Sequence, residues 1–150
     1  MFWKHKDEPE EVNSTAKFQY YHRVALIGSS SSGSRASLMQ KCTGSKGNPV
    51  YKEMTLRGAR VILELWNAPN PDVGNVNAVI ICYDVINRES YNSVLDEWES
   101  LLKKNPDAAK MVVGNKLNPA DSREVAECEG AILADFVGTP LFCEGIYNAF

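Results

Sequence analysis

The sequence predicts one α/β domain: a mainly parallel six-stranded sheet with one antiparallel edge strand and helices on both faces. Three observations carry this. Residues 23–28 form an apolar run suited to a strand buried on both faces, and Gly28, four serines and Gly33 then make a G-x-x-x-x-G loop before a helix-like stretch. Residues 50–56 and 59–66 alternate in polarity around Arg57-Gly58, the pattern of a hairpin. Two more apolar runs, 78–83 and 110–114, each lead into helical periodicity. Strands alternating with helices imply βαβ units joined by right-handed crossovers.

Taken in order, residues 1–20 read as a polar N-terminal arm with two aromatics, Phe2 and Trp3, at its tip, and residues 21–150 as the domain. Phe2 and Trp3 are either a frayed end or a docking anchor, since Trp is favoured at interface hot spots. A helix is expected over 35–42, after the serine loop. The clearest helix covers 88–104, capped by Asn87, with Tyr91, Val94, Leu95, Trp98, Leu101 and Leu102 on one face. Another is expected over 123–136, capped by Asp121 or Ser122, with Val125, Cys128, Ile132 and Phe136 inward. A last short strand falls at 140–143. Asp84, at a strand end, is expected to cap or pair rather than catalyse, and Trp66 and Trp98 to be core aromatics.

Composition narrows the function classes. The chain has 150 residues, 44% hydrophobic and 23% charged, ordinary for one globular domain. A net charge of −3 and the lack of a basic run give no reason to expect nucleic acid or an anionic membrane surface. Cys42, Cys82, Cys128 and Cys143 form no C-x-x-C pair and read as reduced, mostly buried thiols; with only His5 and His22, no zinc site is expected. No run approaches the ~20 apolar residues of a membrane span. Residues 1–11 match neither a signal peptide nor a presequence, and residues 146–150 hold no cysteine for prenylation. The expectation is a cytoplasmic protein without a membrane anchor or lipidation.

The order of elements resembles the Ras superfamily of small GTPases, and its Rab-like branch, from about Tyr21 to Glu144. Residues 57–66, ending in Trp66, are similar to the family's second-to-third-strand hairpin. Residues 83–91, Tyr-Asp-Val-Ile-Asn-Arg-Glu-Ser-Tyr, resemble its Y-D-[IV]-x-[ND]-x-x-S-[FY] stretch. Residues 112–116, ending in Asn115-Lys116, match the approach to the guanine-recognition motif N-K-x-D. The G-x-x-x-x-G frame is weak alone; four matches in order are strong. The resemblance implies a Ras-like P-loop fold whose closing C-terminal helix is truncated or absent. The sheet face near the first and last strands is then expected to be an interaction site or to be covered by the arm, with Phe2, Trp3, Phe18, Tyr20 and Tyr21 supplying apolar area.

Against the family pattern, Ser34 stands at the phosphate-binding lysine and Arg35 at the magnesium hydroxyl. Asn67-Ala68-Pro69-Asn70 replaces D-x-x-G, and Pro71 the water-orienting glutamine. Both switch segments are short, with Ser45 the nearest stand-in for the magnesium-binding threonine. Asn118 replaces the base-reading aspartate, which leaves one guanine N–H facing a donor, a loss of roughly 1–3 kcal/mol. Cys143-Glu144-Gly145 replaces the S-A-K loop and is expected to put a negative charge near the base pocket. Gly28, Gly33, Ser34, Arg35, Asn115, Lys116 and Asn118 are thus read as a vestigial nucleotide pocket whose loop amides still suit a simple anion.

These departures predict no catalytic residues, no enzyme activity, no GTP or GDP cofactor and no magnesium site. The expected function is a catalytically inactive, constitutive interaction or structural subunit of a larger protein assembly. The alternative is a Rab-like regulatory protein that binds GTP, GDP or another nucleotide without efficient hydrolysis. By family analogy the setting is a cytoskeletal, ciliary or trafficking complex.

Overall fold

The computed structural model describes residues 19–29, 34–67, 75–116, 120, 122–140 and 142–146. The element order is β1 (Gln19–Ile27), α1 (Ser34–Thr43), β2 (Val50–Leu56), β3 (Ala59–Asn67), β4 (Ala78–Asp84), α2 (Arg88–Lys104), β5 (Ala109–Lys116), α3 (Glu127–Phe136) and β6 (Phe142–Ile146). The expected arm to residue 18, Gly33, Asn118 and Pro71 lie outside the described residues, as does whatever follows Ile146.

The sheet has six strands in the order β2-β3-β1-β4-β5-β6. Only β2 runs antiparallel, paired with β3 through the Arg57-Gly58 turn, where both residues have positive φ (50° and 78°). The other pairings, β3–β1, β1–β4, β4–β5 and β5–β6, are parallel. This is the predicted α/β architecture. Strand order reverses beside β1, with β3 on one side and β4 on the other, and ligands of open parallel sheets bind at the strands' carboxyl ends near such a point.

The period-2 alternation of the strands separates two cores. Ala25, Ile27, Val79, Ile81, Tyr83 and Val112 face α2 and α3 and pack with Tyr91, Val94, Leu133 and Ala134. Val24, Leu26, Leu65, Cys82 and Val113 face the other way, against Leu38 and Met39 of α1. Three helices thus divide two to one, and the α1 face is covered by a single described helix.

The α2 helix follows its sequence signals. The Asn87 Oδ1 accepts the Ser90 N–H at 3.1 Å, the expected cap. Lys103 and Lys104 lie in the last turn, where cations favour the helix dipole, and Pro106 follows. Tyr91 and Val94 are buried as predicted, whereas Leu95 is 41% exposed.

The α3 helix differs from expectation in start and phase. It begins at Glu127, not 123, because the preceding chain is held extended: Glu124 and Val125 N–H both donate to the Val85 carbonyl, at 2.8 and 2.9 Å. Glu129 then accepts the Ala126 N–H at 2.9 Å, half of a capping box. The inward face is Gly130, Leu133 and Ala134; Cys128, Ile132 and Phe136 are exposed, against the prediction, while Val125 is buried just before the helix. Gly130 selects this phase, since a Cβ there would collide with the Tyr83 hydroxyl and the Phe142 ring. The cysteines differ too: Cys82 is buried, with desolvation pushing its thiol up to about 12, but Cys42 is exposed like Cys128. No helix among the described residues is long and apolar enough to cross a membrane.

Candidate functional site

The carboxyl edge of the sheet brings several of the predicted residues together. At the end of β1, Gly28 takes φ 144°, and a Cβ there would drive into the Cys82 carbonyl of β4. Only glycine lets the chain leave β1 this close to a neighbouring strand. The α1 helix starts at Ser34 with no acidic residue in its first turn, so its amides and positive dipole end are available to an anion.

Arg35 sits in that first turn and is 5% exposed. Its Nε and Nη1 are buried donors with no hydrogen-bond partner among the described residues. Burial lowers its pKa, and the neighbouring Cys82 and Glu97 push the other way. A buried guanidinium with unpaired donors is costly unless an anion meets it. A phosphate oxygen is one acceptor that such donors bind well.

Asn67, at the end of β3, is held by a residue the sequence reading passed over. Asn48 takes the Asn67 N–H on its Oδ1 at 3.0 Å and donates its Nδ2 to the Asn67 carbonyl at 2.9 Å. The Asn67 Oδ1 is left buried and without a partner among the described residues. It borders a hollow of about 230 Å³ between α1 and the following loop, lined also by Ala36, Gln40 and Lys46. The only sequence signal for Asn48 was an Asn before Pro49, a turn-forming pair.

On the base side, Asn115 is fully buried in β5 beside Asp84, and its carbonyl accepts the Val85 N–H at 2.8 Å. Lys116 closes β5 at the same edge. Asp84 behaves as expected, its Oδ1 accepting the Ile86 N–H at 3.0 Å. Two expectations change. Residues 143–145 are not a loop but the middle of β6, with Glu144 opposite Gly114 and Gly145 opposite Asn115. The Glu144 carboxylate is also not a free negative charge, because Arg123 pairs with it, Nη1 to Oε2 at 3.0 Å. Gly28, Arg35, Asn115 and Lys116 therefore share one edge, Ser34 begins α1 there, and Gly33, Asn118, Phe2 and Trp3 fall outside the described residues.

Residues 69–145, just over half of the chain, match the Ras family. The chain belongs to the Ras family. Similar curated proteins include the Ras-related protein RABC2b of Arabidopsis thaliana, 28% identical over 75% of this chain and 64% of that protein. Human Ras-related protein Rab-3A is 25% identical over 89% of this chain and 69% of its own length. Mouse Ras-related protein Rab-12 is 27% identical over 81% of this chain and 58% of its own. The chain thus spans roughly three fifths to two thirds of these relatives, and it is Rab-like in its kinship.

Membership in this family of small GTPases overturns two expectations: that the chain is not an enzyme, and that it needs neither GTP or GDP nor magnesium. Arg35 still carries a cation at the start of α1, and Asn67 still offers a buried oxygen. A carbonyl oxygen is a hard donor of the kind magnesium accepts, and this ion needs few protein ligands when phosphates supply the rest. The described residues thus offer a phosphate the Arg35 guanidinium and offer an ion one neutral oxygen at Asn67; no group of three or more His, Cys, Asp or Glu that could hold a metal is found among them.

Proposed function

We propose that this Ras-family chain is a Rab-like regulatory GTPase that binds guanine nucleotide at the carboxyl edge of β1 and acts through protein partners in a larger assembly. The observation that carries the reading is the Arg35 guanidinium, buried in the first turn of α1 with two donors unused among the described residues. In this reading the amides after Gly28 and in the first turn of α1 cradle the phosphates, and Arg35 supplies positive charge to them. Asn67 would hold the metal, directly or through water, by its neutral side-chain oxygen, while Asn115 and Lys116 hold the base side. When bound, the ion supplies charge neutralisation across the outer phosphate oxygens. The exposed Tyr21 and Tyr51, on one face of β1 and β2, give a partner apolar area to contact.

The test is a thermal melt of the chain with millimolar GTP or GDP, with and without magnesium, beside a count of nucleotide released on acid denaturation and of phosphate formed from GTP. The reading expects stabilisation, about 2.7 kcal/mol with ligand at 100 times its Kd, and slow phosphate release. No shift with either nucleotide and none co-purifying would sink it.

A further inference from the structure

The loop between α1 and β2 is short, and its polar groups are bonded within the chain. α1 ends at Thr43, at the rim of an apolar groove of about 510 Å³ beside Lys52 and Leu63. Four residues later Gly47 is back beside Ala36, in the first turn of α1, since both line the hollow next to Asn67. From Ala36 to Thr43 the helix runs on the order of 10 Å. The loop retraces that length with four residues that span at most about 14 Å when extended. Gly44, at φ 73°, turns the chain, and its N–H donates to the Gln40 carbonyl at 2.7 Å. Thr43 Oγ1 then accepts the Ser45 N–H at 3.2 Å, and Ser45 Oγ accepts the Gly47 N–H at 3.3 Å. Next the Asn48 carboxamide grips both backbone groups of Asn67, at 2.9 and 3.0 Å. None of these bonds is made to Gly28, Ser34 or Arg35. A loop this taut has little length left to fold over a ligand at the carboxyl edge.

Resting on the guanine-nucleotide reading, we propose that residues 44–48 form a fixed loop, latched to the end of β3 by Asn48, that presents one surface whether the site holds GDP or GTP. Each side chain–backbone bond of the latch favours the closed form modestly, and the two together hold it roughly 5- to 150-fold over an open one. A ligand moves a conformational equilibrium only through contacts that differ between its states. The loop makes its contacts with α1 and β3, and both are packed on the core through Leu38, Met39 and Leu65. A phosphate at Arg35 therefore has no bond of the loop to remake. Asn48 acts as a positioning residue: it sets Lys46 and Gly47 against Asn67 across the hollow. A partner that reads this loop is then indifferent to the nucleotide, and nucleotide-dependent recognition falls to other surfaces.

The experiment is amide hydrogen exchange of the full chain, resolved by residue with NMR, without nucleotide, with GDP and with a non-hydrolysable GTP analogue, each with magnesium. The Ser45 and Gly47 amides should keep their rates within about two-fold between the GDP and analogue forms. Asn48→Ala, measured without nucleotide, should speed Ser45, Gly47 and Asn67 together by roughly five-fold or more, while Val79 and Val112 in the core stay slow. A difference of roughly five-fold or more at Ser45 or Gly47 between GDP and the analogue would show a loop that senses the nucleotide. Acceleration of Asn67 alone in Asn48→Ala would show that the loop holds without the latch. Either result overturns the proposal. A melting temperature that moves with neither nucleotide would overturn the guanine-nucleotide reading and, with it, the GDP–GTP half of the proposal, while the Asn48→Ala exchange still decides the latch.

Discussion

The Arg88 guanidinium grips the Glu129 carboxylate with both prongs, Nη1 to Oε1 at 2.6 Å and Nη2 to Oε2 at 2.9 Å, and so ties the first turn of α2 to the first turn of α3. The same guanidinium donates to the Glu124 carbonyl, and the Arg88 N–H donates to the Glu124 carboxylate at 2.7 Å. Tyr91, one turn along α2, gives its hydroxyl to the Glu129 carbonyl at 2.8 Å. Two helices separated by β5 are thereby locked at the edge that carries Asn115.

This pair sets an acid sensitivity. The Arg88 hydrogen bond, and after it the Ala126 N–H, hold the Glu129 carboxyl at about 2, below its ordinary 4.5. A depressed carboxylate stabilises the fold fully above its unfolded pKa and loses that contribution as pH falls through its folded value. Between pH 4.5 and 2 the wild-type chain should therefore lose stability more steeply than Glu129→Gln, read from urea midpoints at each pH. Equal slopes would show that the pair does not govern this range.

Gly28→Ala should destabilise the fold by about 1–3 kcal/mol, since the turn needs a positive φ and the new methyl meets the Cys82 carbonyl. Urea unfolding measures this. A loss below a few tenths of a kcal/mol would mean that β1 and β4 do not approach so closely.

Arg35→Met separates binding from folding. Losing a buried, unpaired charge should leave the nucleotide-free melting temperature unchanged or higher. Losing a charge-assisted contact of about 1.5–3 kcal/mol should weaken GTP and GDP binding by roughly 10- to 100-fold in calorimetric titration. Undiminished affinity would remove Arg35 from the phosphate site.

The Tyr83 hydroxyl is buried against Gly114 and Gly130 with no hydrogen-bond partner among the described residues, and burial pushes its pKa well above the ordinary tyrosine range. Tyr83→Phe should stabilise the chain by about 1 kcal/mol. A clear loss of stability in the urea midpoint would reveal that the hydroxyl is satisfied.

The phase of α3 is tested by a pair of truncations. Leu133→Ala should cost about 2–5 kcal/mol, whereas Ile132→Ala, on the exposed face, should stay within about 0.5 kcal/mol. The reverse order would restore the phase expected from periodicity.

Much of the architecture was legible in the residues. The apolar run ending at Gly28, the Arg57-Gly58 hairpin and the Asn87 cap all depend on near neighbours, and each appears where its pattern put it. The start and phase of α3 were not legible, because Val85, some forty residues away, captures Glu124 and Val125 and delays the helix. Leu133 and Ile132 are equally apolar in sequence, and contact with Tyr83 and Phe142 is what turns Gly130 inward and the helix with it. The site was half legible. Motif spacing marks Gly28, Arg35, Asn115 and Lys116 as candidates, and the structure sets them along one edge of the sheet, but nothing in the linear pattern signals that Asn48 holds Asn67.

By itself the sequence determined the fold class, the identity and order of the strands, and the motif frame that places the chain near the Ras family, since alternation, capping and turn chemistry act over a few residues. Only the tertiary structure decided which residues meet. It buried Arg35 without an acceptor, paired Glu144 with Arg123, and left an apolar groove beside α1. Charge pairing and burial are set by distances across the sheet, and a linear pattern carries no information about which distant side chain will arrive there.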